Sequence, residues 1–577
     1  MEQFEKHVFP DEIPPNKERE RKFRLDCEDP VVARILSDTE AKDIEQHYIA
    51  LGESESRVRR INDSEYFFTI KSSHLVERDE FEIPITEEEY NLLKELSLYS
   101  VRKKRYSYFF ENRKIEIDRY LGDLEGLYVA EVEFSSLSDE SAFNIPSWFG
   151  EELSYKEGYK NKNLAVYGIP VDSQLINKEI KSIDYKLGME NIVKYIELYQ
   201  KALGRPIVVG VAGGSASGKS TIVSSKIAGD LESQCVTINL DDYYKGVSLM
   251  TESGIRLGRK ISFDEPFAID LSLAAKHLSS LTKGGTIDKP EYDFSSGERS
   301  GYSQMSLGDN KIIILEGLFS LKDNFKGLVD IGLFVDVDIP HGMFIRRFLR
   351  DLERTSWNPN EIITYFSELL EMYNKHIAPT KNNADIIINN HYDPSEESDK
   401  NNVHEIQLKY PAGDITENYI RSKLKAEFIA KLNQTDYYYQ PENVDFVSER
   451  ESIRLRNSLG KYFVFEYKGP VRVENGKRIR PKVSIPVEDS TVNTILSLYP
   501  TKIKKIEKVR SLFRFECILI ALDEVSIDNS KEKLRFIELQ GSSRSDRIAV
   551  DISFENVVRL LGIDSNFDSR SYQDMVS

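Results

Sequence analysis

The sequence predicts a multidomain protein whose centre is an α/β segment built on a doubly wound parallel sheet and whose two ends are strand-rich. Three observations carry that reading. An apolar, β-branched run, Pro206-Ile-Val-Val-Gly-Val-Ala212, leads into a glycine-rich turn and then into Lys219-Ser220-Thr221, which opens a helix. Downstream, short apolar strands at 236–240, 311–315, 331–335 and 385–388 alternate with helical stretches, the rhythm of a parallel sheet. On both sides of this centre, charged residues alternate with apolar ones at period two, as strands with unlike faces do.

The bulk numbers agree with several domains. At 577 residues the chain exceeds one core, and about 100–200 residues per domain suggests three or four. A composition 40% hydrophobic and 30% charged is that of a globular protein, and the net charge of −18 argues against a surface that coats nucleic acid. Polyanion binding must then be local. Cys27, Cys235 and Cys517 are far apart and form no CxxC pair, which excludes a disulfide framework or a zinc site and fits a reducing compartment. The N-terminus lacks the order of a secretion signal, no apolar run approaches the ~20 residues of a membrane span, and Gln573–Ser577 carries no lipidation signal. The expected location is the cytoplasm, with neither nucleic acid nor membrane as a partner. The oligomeric state stays open.

In the first segment, residues 1–172, Glu18, Glu20 and Lys22 share one strand face. The same alternation recurs with Arg57 and Arg59, in the strand Tyr66–Lys71, with Glu116 and Asp118 between Ile115 and Ile117, and with Glu131 and Glu133 around Val132. Two structures fit it. One is a sheet with a solvated face. The other is a closed antiparallel barrel with a charged lumen, in which carboxylates hold Mg²⁺ or Mn²⁺ and Lys and Arg grip phosphates.

The motifs Glu18-x-Glu20-x-Lys22, Arg57-Val-Arg59, Thr69-Ile-Lys71, Arg78-x-Glu80-x-Glu82, Lys104-Arg105-Tyr106, Glu116-x-Asp118, Gly126-Leu-x-x-Ala-Glu131-x-Glu133 and Trp148-Phe-Gly-Glu-Glu152 occur in one order. That order resembles the CYTH, or triphosphate tunnel metalloenzyme, family. The resemblance implies an eight-stranded antiparallel β-tunnel of α+β type that hydrolyses a triphosphate. It further implies that Glu18, Glu20, Glu131 and Glu133 hold metal while Lys22, Arg57, Arg59, Lys71 and Arg105 bind phosphate oxygens. Where many members carry Glu-Val-Thr near the catalytic loop, this chain has Glu152-Leu-Ser154, whose hydroxyl can replace that of threonine.

Residues 173–202 hold Ile176, Ile180, Ile183, Leu187, Ile192, Tyr195, Ile196 and Leu198, a series that predicts a connecting helix. The central segment, 203–397, follows. Its loop Gly213-Gly214-Ser215-Ala216-Ser217-Gly218-Lys219-Ser220-Thr221 has the spacing with which backbone N–H groups wrap nucleotide phosphates. Lys219 would reach the outer phosphates and Ser220 would place a hydroxyl on Mg²⁺. Asp241 and Glu316 each follow a strand, where parallel sheets bind ligands. There Asp241 can accept a hydroxyl proton and Glu316 can order the metal's water shell. Arg346, Arg347, Arg350, Asp351 and Arg354 are spaced on a helix so that they could close over phosphates.

These motifs, in their order, resemble the uridine kinase and phosphoribulokinase family of P-loop kinases. The resemblance runs through Leu240-Asp-Asp-Tyr-Tyr244, Phe263-Asp264-x-Pro266, Pro290-x-Tyr292-Asp293-Phe294, Ile314-Leu-Glu316-Gly317, Arg346-Arg347-x-x-Arg350-Asp351 and Pro379-x-Lys381. It implies an ATP- and Mg²⁺-dependent phosphotransferase with Lys219, Asp241 and Arg350 as catalytic residues. Asp264, Tyr292, Asp293 and Arg346 would lie on the substrate. Two positions depart from the family: Gly297 stands where a histidine is usual, and Thr355-Ser356 replaces the arginine-glycine after the lid. The phosphoryl acceptor is therefore left open.

After a polar linker at 391–402, the last segment, 398–577, repeats the grammar of the first: Glu405-x-Gln407-x-Lys409, Asp436, Arg454-x-Arg456, Glu466-Tyr-Lys468, Lys508-x-Arg510, Asp523 and Glu538-x-Gln540. It resembles a second CYTH barrel of the adenylate-cyclase-like branch, in which Glu405, Lys409, Arg454, Arg456, Lys468, Arg510 and Glu538 would form the site. Gln407 and Gln540 replace carboxylates, so metal should bind less strongly. An active tunnel and a degenerate phosphate-binding or scaffolding one both fit.

The chain thus looks like a uridine-kinase-type phosphotransferase between a triphosphate-hydrolysing tunnel and a second, silent or cyclase-like one, with nucleotides and polyphosphates as its partners. The alternative is a nucleotide- or polyphosphate-sensing regulator with little turnover. Plant tunnel proteins fuse the same families in another order and copy number, and that resemblance implies phosphohydrolase activity on pyrophosphate or triphosphate.

Overall fold

The computed structural model describes residues 17–51, 54–72, 77–111, 113–170, 181–231, 234–337, 339–354, 357–390, 404–441, 451–458, 462–469, 471–474, 477–528, 533–542 and 546–563. The side chain of Glu18, the pair Thr355-Ser356, the side chain of Arg354 and the linker at 391–402 lie outside the described residues. The chain forms two compact units, residues 1–337 with 372–390 and residues 338–371 with 391–577.

The first unit opens with β1 (Lys17–Arg24), β2 (Ala41–Leu51), β3 (Ser54–Ile61), β4 (Glu65–Ser72), β5 (Glu77–Pro84), β6 (Tyr99–Phe110), β7 (Arg113–Tyr120) and β8 (Tyr128–Glu133). They close into an antiparallel barrel in the order β1-β5-β4-β3-β2-β6-β7-β8, sealed by β1 against β8. Outward residues such as Phe23, Ile115, Ile117, Ala130 and Val132 pack under Trp148 and Phe149. Period-two alternation then turns the charged set inward, and Lys22, Arg57, Lys71 and Glu131 are all less than 9% exposed. The closed barrel, not the solvated sheet, is what these strands form.

The connecting stretch differs from the expected single helix. Residues 173–180 lie outside the described residues, and Ile183 sits in a strand, β9 (Lys181–Asp184), before the helix Tyr185–Leu203 begins. The physical reason is a vacant sheet edge: β9 pairs in parallel with the apolar edge strand formed by Ile386–Asn389, satisfying backbone groups that would otherwise stay unpaired. The helix lies against the barrel and the parallel sheet together. Its Tyr195 hydroxyl is 2.8 Å from Ser56 Oγ, and Ile192, Ile196 and Tyr199 share one core with Phe68 and Ile70 of the barrel and Val209, Ile314 and Leu333 of the sheet.

That sheet is β10 (Ile207–Gly213), β11 (Cys235–Asn239), β14 (Ile312–Glu316), β15 (Ile331–Asp336) and β16 (Ile386–Asn389), with a hairpin of β12 (Ile287–Asp293) and β13 (Glu298–Met305) inserted beside it in sequence. Its order is β11-β14-β10-β15-β16-β9, and every pairing is parallel. All seven residues of β10 are buried, as a central parallel strand requires.

The second unit contains β17 (His404–Pro411), β18 (Glu427–Gln440), β19 (Ser452–Ser458), β20 (Tyr462–Lys468), β21 (Arg472–Glu474), β22 (Lys477–Val487), β23 (Thr501–Phe515), β24 (Ile518–Ile527) and β25 (Leu534–Ser542). Their order, β17-β25-β24-β23-β18-β19-β20-β22-β21 with an added β17–β22 pairing, closes a ring of eight and leaves β21 on the outside of β22. Starting from β1 and from β17, the two rings run through their strands in the same sequence. The helix His341–Arg354 also belongs to this unit. Phe344 and Phe348, one turn apart, lie 6.2 and 6.1 Å from the ring of Phe465. His341 is buried between the Tyr499 hydroxyl at 3.1 Å and Glu451 at 2.8 Å. Among the described residues no helix is long and apolar enough to cross a membrane.

Candidate functional site

Where the first barrel closes, register decides what faces what. Lys22 stands opposite Glu131, and Glu20 opposite Glu133. Lys22 Nζ donates to Glu131 Oε1 at 2.5 Å and lies 3.3 Å from Glu20. Arg105 forks onto Asp118 at 2.7 Å, reaches Glu116 and donates to the other Glu131 oxygen at 2.5 Å. Lys71 meets Glu80 at 3.2 Å and Arg59 holds Glu82 at 2.6 Å. Arg57 lies 3.5 Å from Glu55. Burial alone would raise the carboxyl of Glu131, yet Lys22, Lys103 and Arg105 hold it well below the usual carboxylate range. Lys103, not singled out from the sequence, pairs with Asp118, and burial pushes its ammonium down to about 8. Its place two residues before Arg105 was the available signal.

Both oxygens of Glu131 are taken by cations, so Glu131 is first a charge partner to Lys22 and Arg105. Glu152 turns away from the lumen. Arg21, on the outer face of β1, donates to it at 2.8 and 2.7 Å, and Ser154 Oγ bridges Glu152 and the Lys22 backbone N–H. A serine hydroxyl does this as a threonine would, bracing β1 from outside.

Glu20 and Glu133 are the residues whose placement suits a metal. Like charges directly opposite across a strand pair are unfavourable unless a cation joins them, and an all-oxygen set matches Mg²⁺ or Mn²⁺. Among the described residues no three carboxylates converge into a preformed cage.

At the carboxyl end of β10 the chain turns through the glycine-rich loop. A Cβ on Gly213 would come within 2.5 Å of the Val335 carbonyl oxygen, so only glycine fits that approach. Ser220 Oγ donates to Glu316 Oε1 at 2.5 Å, and Lys219 Nζ donates to the Gly214 carbonyl at 3.2 Å. Asn390, overlooked in the sequence, donates to the Ser217 carbonyl at 2.7 Å and fixes the loop from the end of β16. Burial pushes the carboxyl of Glu316 up, with Asp241 adding to the rise and Ser220 and Lys219 opposing it. Asp241 follows β11, whose Asn239 pairs with Glu316 of β14, so both carboxylates leave neighbouring strand ends. A hydroxyl, a buried carboxylate and a second carboxylate form an oxygen donor set that fits Mg²⁺.

Of the residues expected to meet a substrate, Tyr292 lies tilted against Tyr244 at 5.3 Å and edge-on to Phe294 at 5.1 Å, and Asp264 is buried. The carboxylate of Asp293 accepts from Ser295 N–H and Oγ and from Ser296 N–H, holding the β12–β13 turn; these bonds pull its carboxyl down to about 2. Gly297 ends that turn at φ +70°, where a histidine would be strained and would press on Val247. Arg299, also unforeseen, donates to the carbonyls of Tyr243 and Tyr244 and ties the hairpin to the Asp241 loop. Arg346 and Arg350 lie in the second unit, where Asp351 accepts from Arg350 Nε at 3.0 Å and also from Arg347.

In the second barrel Lys409 stands opposite Glu538, Arg510 opposite Asp523, and Gln407 opposite Gln540. These registers repeat the pairs Lys22·Glu131, Arg105·Asp118 and Glu20·Glu133. Lys468 donates to Glu405 at 2.6 Å, Arg456 to Asp436 at 2.7 Å, and Arg454 to Asp436 at 3.0 Å. The sequence reading missed Arg478, Arg480 and Lys482, which point into the same lumen. Their i, i+2, i+4 spacing was the signal, hidden by Pro481.

A loop-bearing parallel sheet and two closed barrels lined by Lys, Arg and carboxylates define a multidomain protein of the P-loop kinase and phosphate-tunnel classes. The chain belongs to the CYTH domain family, which it matches over residues 16–166 and 403–572, and its centre, 208–394, belongs to the phosphoribulokinase / uridine kinase family. It is 25% identical over 397 residues to the inorganic pyrophosphatase TTM1 of Arabidopsis thaliana, covering 68% of this chain and 57% of that one. To uridine-cytidine kinase C of Dictyostelium discoideum it is 25% identical over 413 residues, 70% of this chain and 86% of the relative. A uridine kinase of Clostridium novyi is 38% identical over 188 residues, 32% of this chain and 87% of its own length. The chain thus spans little more than half the length of TTM1.

Proposed function

We propose that the central domain is an ATP- and Mg²⁺-dependent phosphotransferase of uridine kinase type and that the first barrel hydrolyses a triphosphate, either inorganic or the tail of a nucleotide. The observation that carries the kinase reading is the contact of Ser220 Oγ with buried Glu316 beside Lys219 and at the strand end next to Asp241. Backbone N–H groups of residues 213–221 would cradle the phosphates and Lys219 would neutralise the outer ones. Asp241 would accept the proton of the attacking hydroxyl at a carboxylate oxygen. A divalent metal, when bound, would supply charge neutralisation across the phosphate oxygens, with Ser220 and Glu316 holding its shell.

In the first barrel, Lys22, Arg57, Arg59, Lys71 and Arg105 would bind phosphate oxygens. Drawn to a substrate, Lys22 and Arg105 would release Glu131, leaving Glu20, Glu131 and Glu133 as acceptor oxygens for a metal, with Glu18 from the same strand face. The relatives named as a pyrophosphatase and as uridine and uridine-cytidine kinases accord with both halves. Three cysteines with no disulfide accord with a reducing, cytoplasmic setting.

The test is a substrate panel on the whole chain, followed by phosphorus NMR: nucleosides with ATP, against tripolyphosphate, pyrophosphate and ATP alone, each with Mg²⁺ or Mn²⁺. A new phosphomonoester signal and metal-dependent phosphate release are expected. Silence in every arm overturns the proposal.

A further inference from the structure

The two barrels share strand order and register, yet their lumens differ in charge. Among the described residues the first lumen pairs its cations with carboxylates: Lys22 with Glu20 and Glu131, Arg57 with Glu55, Arg59 with Glu82, Lys71 with Glu80, Lys103 with Asp118, and Arg105 with Glu116, Asp118 and Glu131. The cavity of the second is walled by nine cations, Lys409, Arg454, Arg456, Lys468, Arg478, Arg480, Lys482, Lys508 and Arg510, and by a single carboxylate, Glu538. Four more carboxylates, Glu405, Asp436, Glu466 and Asp523, are buried on the same inward faces, each against one or more of the cations. The lumen keeps an excess of positive charge even after this pairing.

The excess arises at defined positions. The facing pair Glu20·Glu133 becomes Gln407·Gln540, and Lys71 opposite Glu80 becomes Lys468 opposite Lys482. The first change removes the oxygens that a divalent metal needs to offset its dehydration. The second adds a cation in place of an acid. Buried like charges are costly unless an opposite charge joins them. Donor capacity is also left over: Arg480 is only 7% exposed, and its Nε has no hydrogen-bond partner among the described residues. Guanidinium forks suit phosphate oxygens, and a closed ring of eight strands admits a linear chain but no folded macromolecule.

We propose that the lumen of the second barrel is a metal-independent binding site for a linear oligophosphate, which it holds without hydrolysing. This goes beyond the phosphotransfer and hydrolysis assigned to the first unit and does not depend on either.

The test uses the full chain carrying Lys219→Ala and Lys22→Ala, which weaken the other two phosphate sites, so that the second-barrel substitutions assign what binding remains. Titration calorimetry with tripolyphosphate is run in EDTA and again in Mg²⁺. Saturable binding in EDTA is expected, weakened about tenfold or more by Arg480→Gln. Lys482→Gln, nearer the rim, serves if the first variant does not fold. Gln407→Glu with Gln540→Glu should weaken binding in EDTA by a similar factor and make Mg²⁺ restore it. Competition by ATP distinguishes a nucleotide's triphosphate tail from a free inorganic chain. No binding in EDTA, or binding in EDTA unchanged by all these substitutions, overturns the proposal. So does phosphate release that persists in the Lys22→Ala background and disappears with Arg480→Gln. Because the binding readout needs no turnover, its failure is distinct from failure of the NMR panel.

Discussion

Ser220 donates its hydroxyl hydrogen to Glu316 across 2.5 Å, joining the helix that opens after the glycine loop to the end of the neighbouring strand. This bond holds a carboxylate that burial would otherwise leave stranded, and it places the oxygen donors where the phosphates of a nucleotide would end. Removing either partner should change metal use before it changes nucleotide binding. Glu316→Gln should raise the Mg²⁺ concentration for half-maximal transfer by about tenfold or more, read from a metal titration at saturating ATP.

Asp241 tests the chemistry itself. Asp241→Asn keeps the shape but loses the proton acceptor, and general-base loss typically costs about 10²–10⁴ in kcat. ATP affinity, measured by calorimetry, should stay close to that of the parent. Equal loss in both would assign Asp241 to binding.

For the first barrel, Glu20→Gln removes one of the two facing carboxylates at the seam and introduces the residue type that the second barrel already has there. Phosphate release from tripolyphosphate should then require about tenfold more Mn²⁺ or Mg²⁺, with little change in thermal stability. An unchanged metal titration would rule out Glu20 as a ligand.

The second barrel should bind protons along with its ligand. Burial pushes the Lys508 ammonium down to about 7 from its ordinary 10.5, with Arg456, Arg510 and Arg454 adding to the fall and Asp436 at 3.1 Å opposing it. An oligophosphate favours the charged form and so raises that value. Binding should therefore take up a proton between about pH 7 and the ordinary range, and affinity should fall as pH climbs through that window. Calorimetry at pH 8 in buffers of different ionisation heat measures the uptake, and Lys508→Met should reduce it.

His341→Ala should destabilise the second unit. It leaves Glu451 and the Tyr499 hydroxyl buried without their shared partner, a loss of about 1–3 kcal/mol, visible as a lower unfolding midpoint of the intact chain.

Much of this was written locally in the chain. The spacing from Gly213 to Ser220 and the strand-end positions of Asp241 and Glu316 follow from short-range pattern, as does the inward alternation of Lys22, Arg57 and Arg59. Closure was not legible from alternation alone, because a solvated sheet has the same period; only the register of β1 against β8 decides it. The β9 strand was hidden because Ile183 fits a helical series as well as an edge strand, and pairing with distant Ile386–Asn389 settled it. The brace from Arg21 to Glu152 joins residues 131 positions apart, beyond any local signal.

The helix bearing Arg346 and Arg350 rests its Phe344 and Phe348 on Phe465 of β20, the strand that also carries Glu466 and Lys468 of the second lumen. The packing of that helix therefore depends on residues that come more than a hundred positions later in the chain. A fragment ending at residue 390 would keep its glycine loop but strip two aromatic rings of their cover and His341 of both its partners. Instability of such a fragment would report the lost cover of Phe344, Phe348 and His341.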